Sequence, residues 1–131
     1  MKFSYSREFN TAYFPITENR DIKNSEEVRA GIILDLDPNK KILGLELIGP
    51  SGCFCTESIK DAFSKLLEEG AEQVTFVHDR EGATLTVWFQ EPTSEFICEE
   101  TTDEVIQIKN VNHEVIGMEI LNFHVSSKTH F

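Results

Sequence analysis

The sequence lacks long apolar runs, and it contains only three cysteines. Its apolar stretches are no longer than a β-strand, whereas a membrane-spanning helix needs about 20 consecutive apolar residues. Residues 1–10 contain no hydrophobic core of a secretory signal, so we expect an intracellular, cytoplasmic protein without a membrane partner. An odd number of cysteines is not typical of a secreted disulfide framework, and reduced thiols are expected.

Basic residues are also scarce. The chain has 12 Lys and Arg against 23 Asp and Glu, which gives a formal net charge of -11. Phosphate backbones repel such a surface, so direct binding of nucleic acid is not expected. An acidic surface instead favours solubility and association with basic partners.

Sequence motifs of common enzymes are missing. The chain contains no phosphate-binding loop, no dinucleotide fingerprint and no Ser-His-Asp arrangement. We therefore expect neither an enzyme nor a bound cofactor. With 131 residues, of which 40% are hydrophobic and 27% charged, the composition is that of one ordinary globular domain.

An internal repeat dominates what is present. Arg7-Glu8 recurs as Arg80-Glu81, 73 positions later, and Gly44 and Glu46 recur as Gly117 and Glu119 without a gap. We interpret each copy as one supersecondary unit and place the repeats at residues 2–50 and 74–122. A unit of about fifty residues has a marginal core, so the two copies are expected to stack with pseudo-two-fold symmetry.

The apolar pattern predicts four strands in each repeat. Side chains of residues 31–37 alternate between apolar and mixed positions, and Asp37-Pro38-Asn39-Lys40 has the composition of a tight turn, so this region is expected to form a hairpin. The predicted strands are 2–5, 11–17, 31–37 and 41–48 in the first repeat and 73–78, 83–90, 104–109 and 114–121 in the second.

A single helix is expected to connect the repeats over residues 56–70. Its apolar stripe comprises Ile59, Ala62, Phe63, Leu66 and Leu67. Such a stripe has to be buried against a sheet, and Ile59, Phe63 and Leu67 are expected to lie beneath the repeats. Residues 123–131 are predicted to form a loose polar tail. The fold class is therefore α+β, with two repeated four-stranded antiparallel units and one amphipathic helix.

One register remains open in this interpretation. In the first repeat the third strand has its inward apolar set at Ile32, Leu34 and Leu36, whereas in the second repeat Ile106 and Ile108 occupy the positions between the matching ones. A slip of one residue exchanges the faces of a strand. Either one repeat contains a bulge, or the two sheets bury opposite faces at this strand.

The first repeat resembles the domain-of-unknown-function family 2283, whose members are small β-rich bacterial and archaeal proteins. The residues that match are Met1-Lys2-Phe3-Ser4-Tyr5, Glu27-Val28-Arg29-Ala30-Gly31, Ile33-Leu34-Asp35-Leu36-Asp37 and Gly44-Leu45-Glu46-Leu47-Ile48. The second repeat matches less well, mainly through residues 117–121, so the resemblance implies a tandem duplication. It brings no catalytic residue. Genes of this family neighbour toxin-like genes, which implies an antitoxin role.

An acidic segment is the first candidate for a binding site. We interpret it as a loop without Lys or Arg. Its acidic residues are Glu91, Glu95, Glu99, Glu100, Asp103 and Glu104. This segment could bind a divalent cation or a basic partner, although it lacks the spacing of a calcium loop. A solvated stretch of mutually repelling charges is the simpler interpretation.

Two thiols and a set of three carboxylates are further candidates for a binding site. In an extended segment Cys53 and Cys55 point the same way and could hold a soft metal, but structural zinc needs wider spacing and more ligands, so no metal site is expected. Asp35, Asp37 and Glu46 could share a proton or a metal, or could simply support a turn. Gly44 and Gly117 fall inside strands and predict close packing there.

Two functions follow as hypotheses. The first is a non-enzymatic interaction module that binds a basic protein through an acidic face or an open sheet edge, as an antitoxin would. The alternative is a small-molecule or metal-binding protein with a site between the two repeats, where Cys53, Cys55 or Cys98 would lie near a histidine or carboxylate. A role as a scaffold in a larger assembly is a third option.

Overall fold

The computed structural model describes residues 3–18, 21–29, 31–48, 57–69, 74–100 and 105–131. These residues form two five-stranded antiparallel sheets and one helix, α1, at Glu57–Glu69. The first sheet contains β1 Ser4–Ser6, β2 Thr11–Pro15, β3 Asn24–Arg29, β4 Ile32–Leu36 and β5 Ile42–Ile48. The second sheet contains β6 Thr75–Asp79, β7 Thr84–Trp88, β8 Ile97–Glu100, β9 Val105–Lys109 and β10 Val115–Ile120.

The two sheets have the same strand order. The first runs β1-β2-β5-β4-β3 and the second β6-β7-β10-β9-β8, with all neighbours antiparallel. The bounds of β7 and β9 are those of β2 and β4 moved by 73 residues. The internal repeat of the sequence therefore has a structural counterpart, strand for strand.

The predicted count of four strands per repeat is wrong, because each sheet has a fifth strand at one edge. These strands are β3, which lies between the predicted strands 11–17 and 31–37, and β8, which lies within the predicted acidic loop. An edge strand has a neighbour on one side only and need not alternate apolar with polar residues. All four residues of β8 are exposed, so their sequence carries no period of two.

Neither alternative for the third predicted strand is observed, because both sheets contain the same bulge and bury the same face of this strand. In the first sheet Asp35 pairs with Gly44 and Leu36 with Ile42, which leaves Leu43 as the extra residue. In the second sheet Ile108 pairs with Gly117 and Lys109 with Val115, which leaves Ile116. Residues 43 and 116 are equivalent, so β9 has the register of β4, and its Ile108 points away from the shared core.

The core lies between the sheets and is one continuous cluster. It contains inward side chains of both sheets, for example Leu45 and Met118, together with three residues of α1: Ile59, Phe63 and Leu66. The ring of Phe63 lies at its centre and contacts the rings of Phe3, Tyr5, Phe14 and Phe89 at centroid distances of 5.9, 5.3, 5.8 and 5.5 Å. The expected burial of the helix stripe is confirmed except at Leu67.

Leu67 lies at the border of the apolar stripe and is 45% exposed. The expectation that it would be buried beneath the repeats is therefore wrong, and Leu66 takes that place on α1 with 4% exposure. Among the residues that the structure describes, no helix is long and apolar enough to cross a membrane.

The C-terminal residues are anchored to both sheets, so the predicted loose tail is wrong. Phe123 is buried, and its amide donates to the carbonyl oxygen of Ala83 at 2.8 Å. The amide of Ile42 donates to the carbonyl of His130 at 2.7 Å, and the guanidinium of Arg80 donates to the carbonyl of Thr129. These contacts are mostly backbone hydrogen bonds, which polar composition alone does not reveal.

We expect Phe63→Ala to lower the free energy of unfolding by about 3–5 kcal/mol, because it leaves a cavity where helix and sheets meet. Leu67→Ala removes an apolar side chain of similar size from the same helix at an exposed position and should change stability by less than about 1 kcal/mol. Urea titration followed by circular dichroism measures both. Equal losses in the two variants would contradict the central position of Phe63.

Candidate functional site

A polar cluster lies on the outer face of the first sheet. The hydroxyl of Ser25 on β3 donates to Oδ1 of Asp35 on β4 at 2.7 Å, and Asp35 is 5% exposed. A side-chain hydrogen bond also joins Asp35 to Glu46 on β5. Tyr13 on β2 is the cross-strand partner of Glu46. Four neighbouring strands therefore place a carboxyl pair, Asp35 and Glu46, between a serine and a tyrosine.

The predicted group of three carboxylates is brought together only in part. Asp37 belongs to the turn, where its Oδ1 accepts hydrogen bonds from the backbone amides of Asn39 at 2.7 Å and Lys41 at 2.9 Å. This is the turn-supporting role that short polar side chains commonly have. The carboxyl pair therefore consists of Asp35 and Glu46 alone.

Electrostatics make Glu46 hold its proton more tightly than an isolated glutamate. Burial raises the pKa of Glu46, and the negative charge of Asp35 and the hydrogen bond between the two carboxyl groups raise it further. Such a pair can keep one proton between two oxygens and release it as the pH rises. The arrangement can bind or transfer a proton, but the described side chains include no histidine at this pair.

Gly44 lies directly beneath the ring of Tyr13. A Cβ atom at this position would lie 1.9 Å from Tyr13 Oη and 2.4 Å from its Cζ, and at Gly117 it would lie 2.8 Å from the carbonyl oxygen of Val87. The close packing predicted for both strand glycines is therefore observed. In the first sheet it allows an aromatic ring to lie flat beside the carboxyl pair.

The equivalent place in the second sheet keeps a glutamate, Glu119, but lacks the carboxyl pair. Residues 86, 98 and 108, which correspond to Tyr13, Ser25 and Asp35, are threonine, cysteine and isoleucine. Ile108 packs with Trp88 and Ile116 in a second, smaller cluster, and Phe96 contacts the ring of Trp88 at 5.6 Å. The two sheets thus share a framework but present different chemistry on their outer faces.

The predicted acidic loop is partly a strand. Glu91 and Glu95 precede β8, whereas Glu99 and Glu100 lie on it, and all four are exposed. Asp103 and Glu104 lie outside the described residues. We call the strand β8 together with Glu91 and Glu95 the acidic edge.

A lysine of the neighbouring strand β9 lies beside the acidic edge. Lys109 Nζ lies 2.8 Å from Glu99 Oε2, and the hydrogen bond and positive charge of Lys109 lower the pKa of Glu99. The side chain of Lys109 is only 13% exposed, whereas that of Glu99 is 60% exposed, so the Glu99 carboxylate stays accessible to solvent. Glu91, Glu95 and Glu100 are exposed as well, and the acidic edge therefore carries net negative charge.

The acidic edge also carries apolar surface and an open strand. Ile97 is 46% and Phe96 42% exposed, and Cys98 is a free, exposed thiol. Within the described chain, β8 pairs with β9 and has no strand on its other side. Backbone donors and acceptors of an edge strand can pair with a further strand.

A groove of about 320 Å³ separates α1 from the turn between β9 and β10. Its floor is apolar and includes Leu66 and Phe89, and its rim carries the ion pair Lys65–Glu114, with Nζ and Oε2 3.6 Å apart. None of its lining residues is a cysteine. The lining residues 110 and 113–116 were not predicted as site residues, because a groove between a helix and a turn produces no periodic pattern in the sequence.

The thiol site expected between the repeats is not observed in the described part of the chain. Cys53 and Cys55 lie outside the described residues, and Cys98 lies on the exposed strand β8. Over residues 3–18, 21–29, 31–48, 57–69, 74–100 and 105–131, no group of three or more His, Cys, Asp and Glu side chains is placed to hold a metal ion.

The comparison with known families concerns the first sheet, where the carboxyl pair and the strand glycine lie. Residues 2–51 match a family model. The family is described as Protein of unknown function (DUF2283). The resemblance of the first repeat to this family is therefore confirmed for residues 2–51, which contain β1 to β5. No curated protein and no solved structure matches the chain.

We expect Glu46→Gln to reduce the pH dependence of stability. A raised folded-state pKa means that the stabilisation by protonated Glu46 is fully present below the unfolded-state pKa and is lost as the pH rises through the folded-state pKa. The wild type should therefore lose stability as the pH rises from 4.5, the ordinary pKa of a glutamate side chain, through the raised pKa of folded Glu46. The glutamine variant should lose less stability over the same pH range.

Thermal denaturation across this pH range measures the effect, and Glu119→Gln is the matched control. Glu119 is the equivalent residue of the second sheet, where Ile108 stands in place of Asp35. If both variants flatten the pH profile equally, the carboxyl pair is not its cause.

We expect Gly44→Ala to lower the free energy of unfolding by about 1–3 kcal/mol, because the added methyl group displaces the Tyr13 ring. Combining it with Tyr13→Thr, which copies residue 86 of the second sheet, should recover part of this loss. A double-mutant cycle in urea gives the coupling energy between the two sites. Additive losses would mean that the ring and the glycine do not contact each other.

Proposed function

We propose that this protein is a non-enzymatic interaction module that binds a basic protein segment at its acidic edge. The observation that supports this most is strand β8, which is exposed along its whole length, open on one side and flanked by Glu91 and Glu95. Stable folds usually protect such an edge with a neighbouring element or with positive charge. Here the edge is left open and negative.

The charge distribution favours a basic partner. With a net charge of -11 the whole chain attracts cations at long range, and the acidic edge concentrates this field beside exposed apolar groups. Complementary charge increases the rate of encounter, and the apolar contacts of Phe96 and Ile97 would slow dissociation. Such binding weakens as salt rises, since exposed charges are screened over about 8 Å at physiological ionic strength.

We further propose that the second sheet arose by duplication of the DUF2283 unit and has diverged in its surface. Common strand order, a common bulge and an offset of 73 residues support this origin and a pseudo-two-fold relation. The edge strand β3 of the first sheet includes Arg29 and follows Lys23, whereas the equivalent β8 lacks basic residues. Divergence thus made one of two equivalent edges acidic.

An antitoxin fits this proposal as one kind of interaction module. The resemblance to the family implies such a role, and antitoxin proteins act by covering a partner protein. A partner with a basic, extended segment would complement the acidic edge. The carboxyl pair of the first sheet is then a structural feature of the DUF2283 unit.

The groove between α1 and the β9–β10 turn supports the alternative function, binding of a small molecule. Its volume of about 320 Å³ is at the lower end of ligand sites, which span about 300–1,000 Å³. Its mixed rim and apolar floor would suit a compact amphipathic ligand. It lies between the connecting helix and the second sheet, and its lining residues come from these two parts of the chain.

We expect the wild type, immobilised at low salt, to retain a basic protein. A Glu95→Lys/Glu100→Lys variant should retain at least about tenfold less of this protein, because charges at the rim of an interface control electrostatic association. The matched control is Glu18→Lys/Glu27→Lys, which makes the same change in net charge at exposed positions of the first sheet. Quantitative mass spectrometry of the bound fraction at two salt concentrations measures the difference. Equal retention by both variants, or recovery of no basic protein, would contradict the proposal.

A further inference from the structure

The register of β8 defines which side chains an added strand would meet. Glu99 lies opposite Gln107, and Cys98 lies opposite Ile108. Directly opposed residues point to the same face of a sheet. Ile97 and Glu99 therefore share the inner face with Gln107, whereas Cys98 and Glu100 share the outer face with Ile108.

Each face of β8 thus presents one apolar or thiol position followed by one carboxylate. A neighbouring strand would place two adjacent residues beside Glu99 and Glu100, and the next two beside Ile97 and Cys98. Basic side chains complement the first pair on both faces, and aliphatic side chains complement the second. The strand that fits best has two basic residues next to two aliphatic ones.

We propose that β8 binds its partner by strand addition, accepting an extended segment with adjacent basic and aliphatic residues as a sixth, antiparallel strand of the second sheet. This inference rests on the proposed function and adds the binding mode and the sequence pattern of the partner. Backbone hydrogen bonds would supply affinity, and side chains on alternate faces would supply specificity. An antiparallel orientation continues the arrangement of the whole sheet.

The other edges are less suited to an added strand. β1 has only three residues, and β3 has a register shift between Glu27 and Arg29. The side chain of Arg29 is also held by the carbonyl oxygen of Leu121 at 2.9 Å. At β6 the ring of His78 packs against Phe123 and Phe131 of the C-terminal segment. β8 is the edge with four consecutive exposed residues.

A second copy of this chain is a poorer occupant of β8 than a basic segment. Antiparallel pairing of two β8 strands would bring four carboxylates, two Glu99 and two Glu100, into one short ladder. Like charges on adjacent strands destabilise pairing, and each chain already carries a net charge of -11. Charge complementarity therefore selects a basic partner over self-association.

Synthetic peptides test the binding mode directly. The probe is Thr-Thr-Lys-Arg-Val-Val-Thr-Thr, in which Lys faces Glu100 and Arg faces Glu99 when the strand is antiparallel. Two derivatives carry N-methyl groups on alternate residues, one on Lys and the first Val, the other on Arg and the second Val. Both keep every charge, but only one loses the amide donors that point toward β8.

Isothermal titration calorimetry on the full chain compares the three peptides. We expect one N-methylated derivative to bind at least about tenfold more weakly than the parent and the other to bind as well as the parent, since only one set of hydrogen bonds is lost. Equal binding of all three would overturn strand addition while leaving charge-driven binding of a basic partner intact. Failure of the parent peptide to bind also overturns it.

A charge swap tests the register. Glu100→Lys should weaken binding of the parent peptide, and replacing the peptide's Lys by Glu should restore it. If a peptide with Glu in place of Arg restores binding equally, the assigned register is wrong. Analytical ultracentrifugation of the free chain completes the test. A wild-type dimer that tightens in Glu100→Lys, where repulsion between two β8 strands is relieved, would assign β8 to a second copy and overturn the proposal.

Discussion

The structure depends on the burial of the two sheets against each other, because the inner face of each sheet is covered by the other sheet and by α1. Phe63 and Ile59 of α1 fill the space where the inner faces meet, and Phe14 of the first sheet stacks on Phe89 of the second at 6.3 Å. A five-stranded unit of about fifty residues buries too little apolar surface to be secure alone. The second five-stranded sheet of the same chain supplies the missing face.

Shared burial explains why the inner faces are similar while the outer faces differ. Inward positions such as Leu34, Leu45 and Met118 all have to be apolar and of fitting size. Outward positions carry no such requirement, so Asp35 in one sheet can correspond to Ile108 in the other. The outer faces are therefore where one sheet carries the carboxyl pair and the other an apolar cluster around Trp88.

Much of the framework could be predicted from the sequence, because the central strands alternate and repeat. The hairpin of β4 and β5 was predicted at residues 31–37 and 41–48 and is observed at Ile32–Leu36 and Ile42–Ile48. The helix was predicted at residues 56–70 and is observed at Glu57–Glu69. These elements are half-buried or fully buried, and burial is what imposes a readable period on a sequence.

The edge strands could not be predicted for the same reason. β8 reads Ile97-Cys98-Glu99-Glu100, and its strand conformation comes from pairing with β9 and not from alternate burial. The anchoring of the C-terminal segment through the carbonyl of His130 is likewise a backbone contact that side chains do not announce. The acidic composition of this segment could be read from the sequence, but the placement of its carboxylates on an edge strand could not be predicted.

Exposure of β8 has a consequence for self-association of the chain. An open edge with exposed Phe96 and Ile97 invites pairing between identical chains, which negative charge on the same edge opposes. Under the proposed binding mode, Glu99 and Glu100 act against self-pairing and for pairing with a cationic strand. One set of carboxylates then supplies selectivity in two ways, since the charge that repels a second copy is the charge that attracts a basic segment.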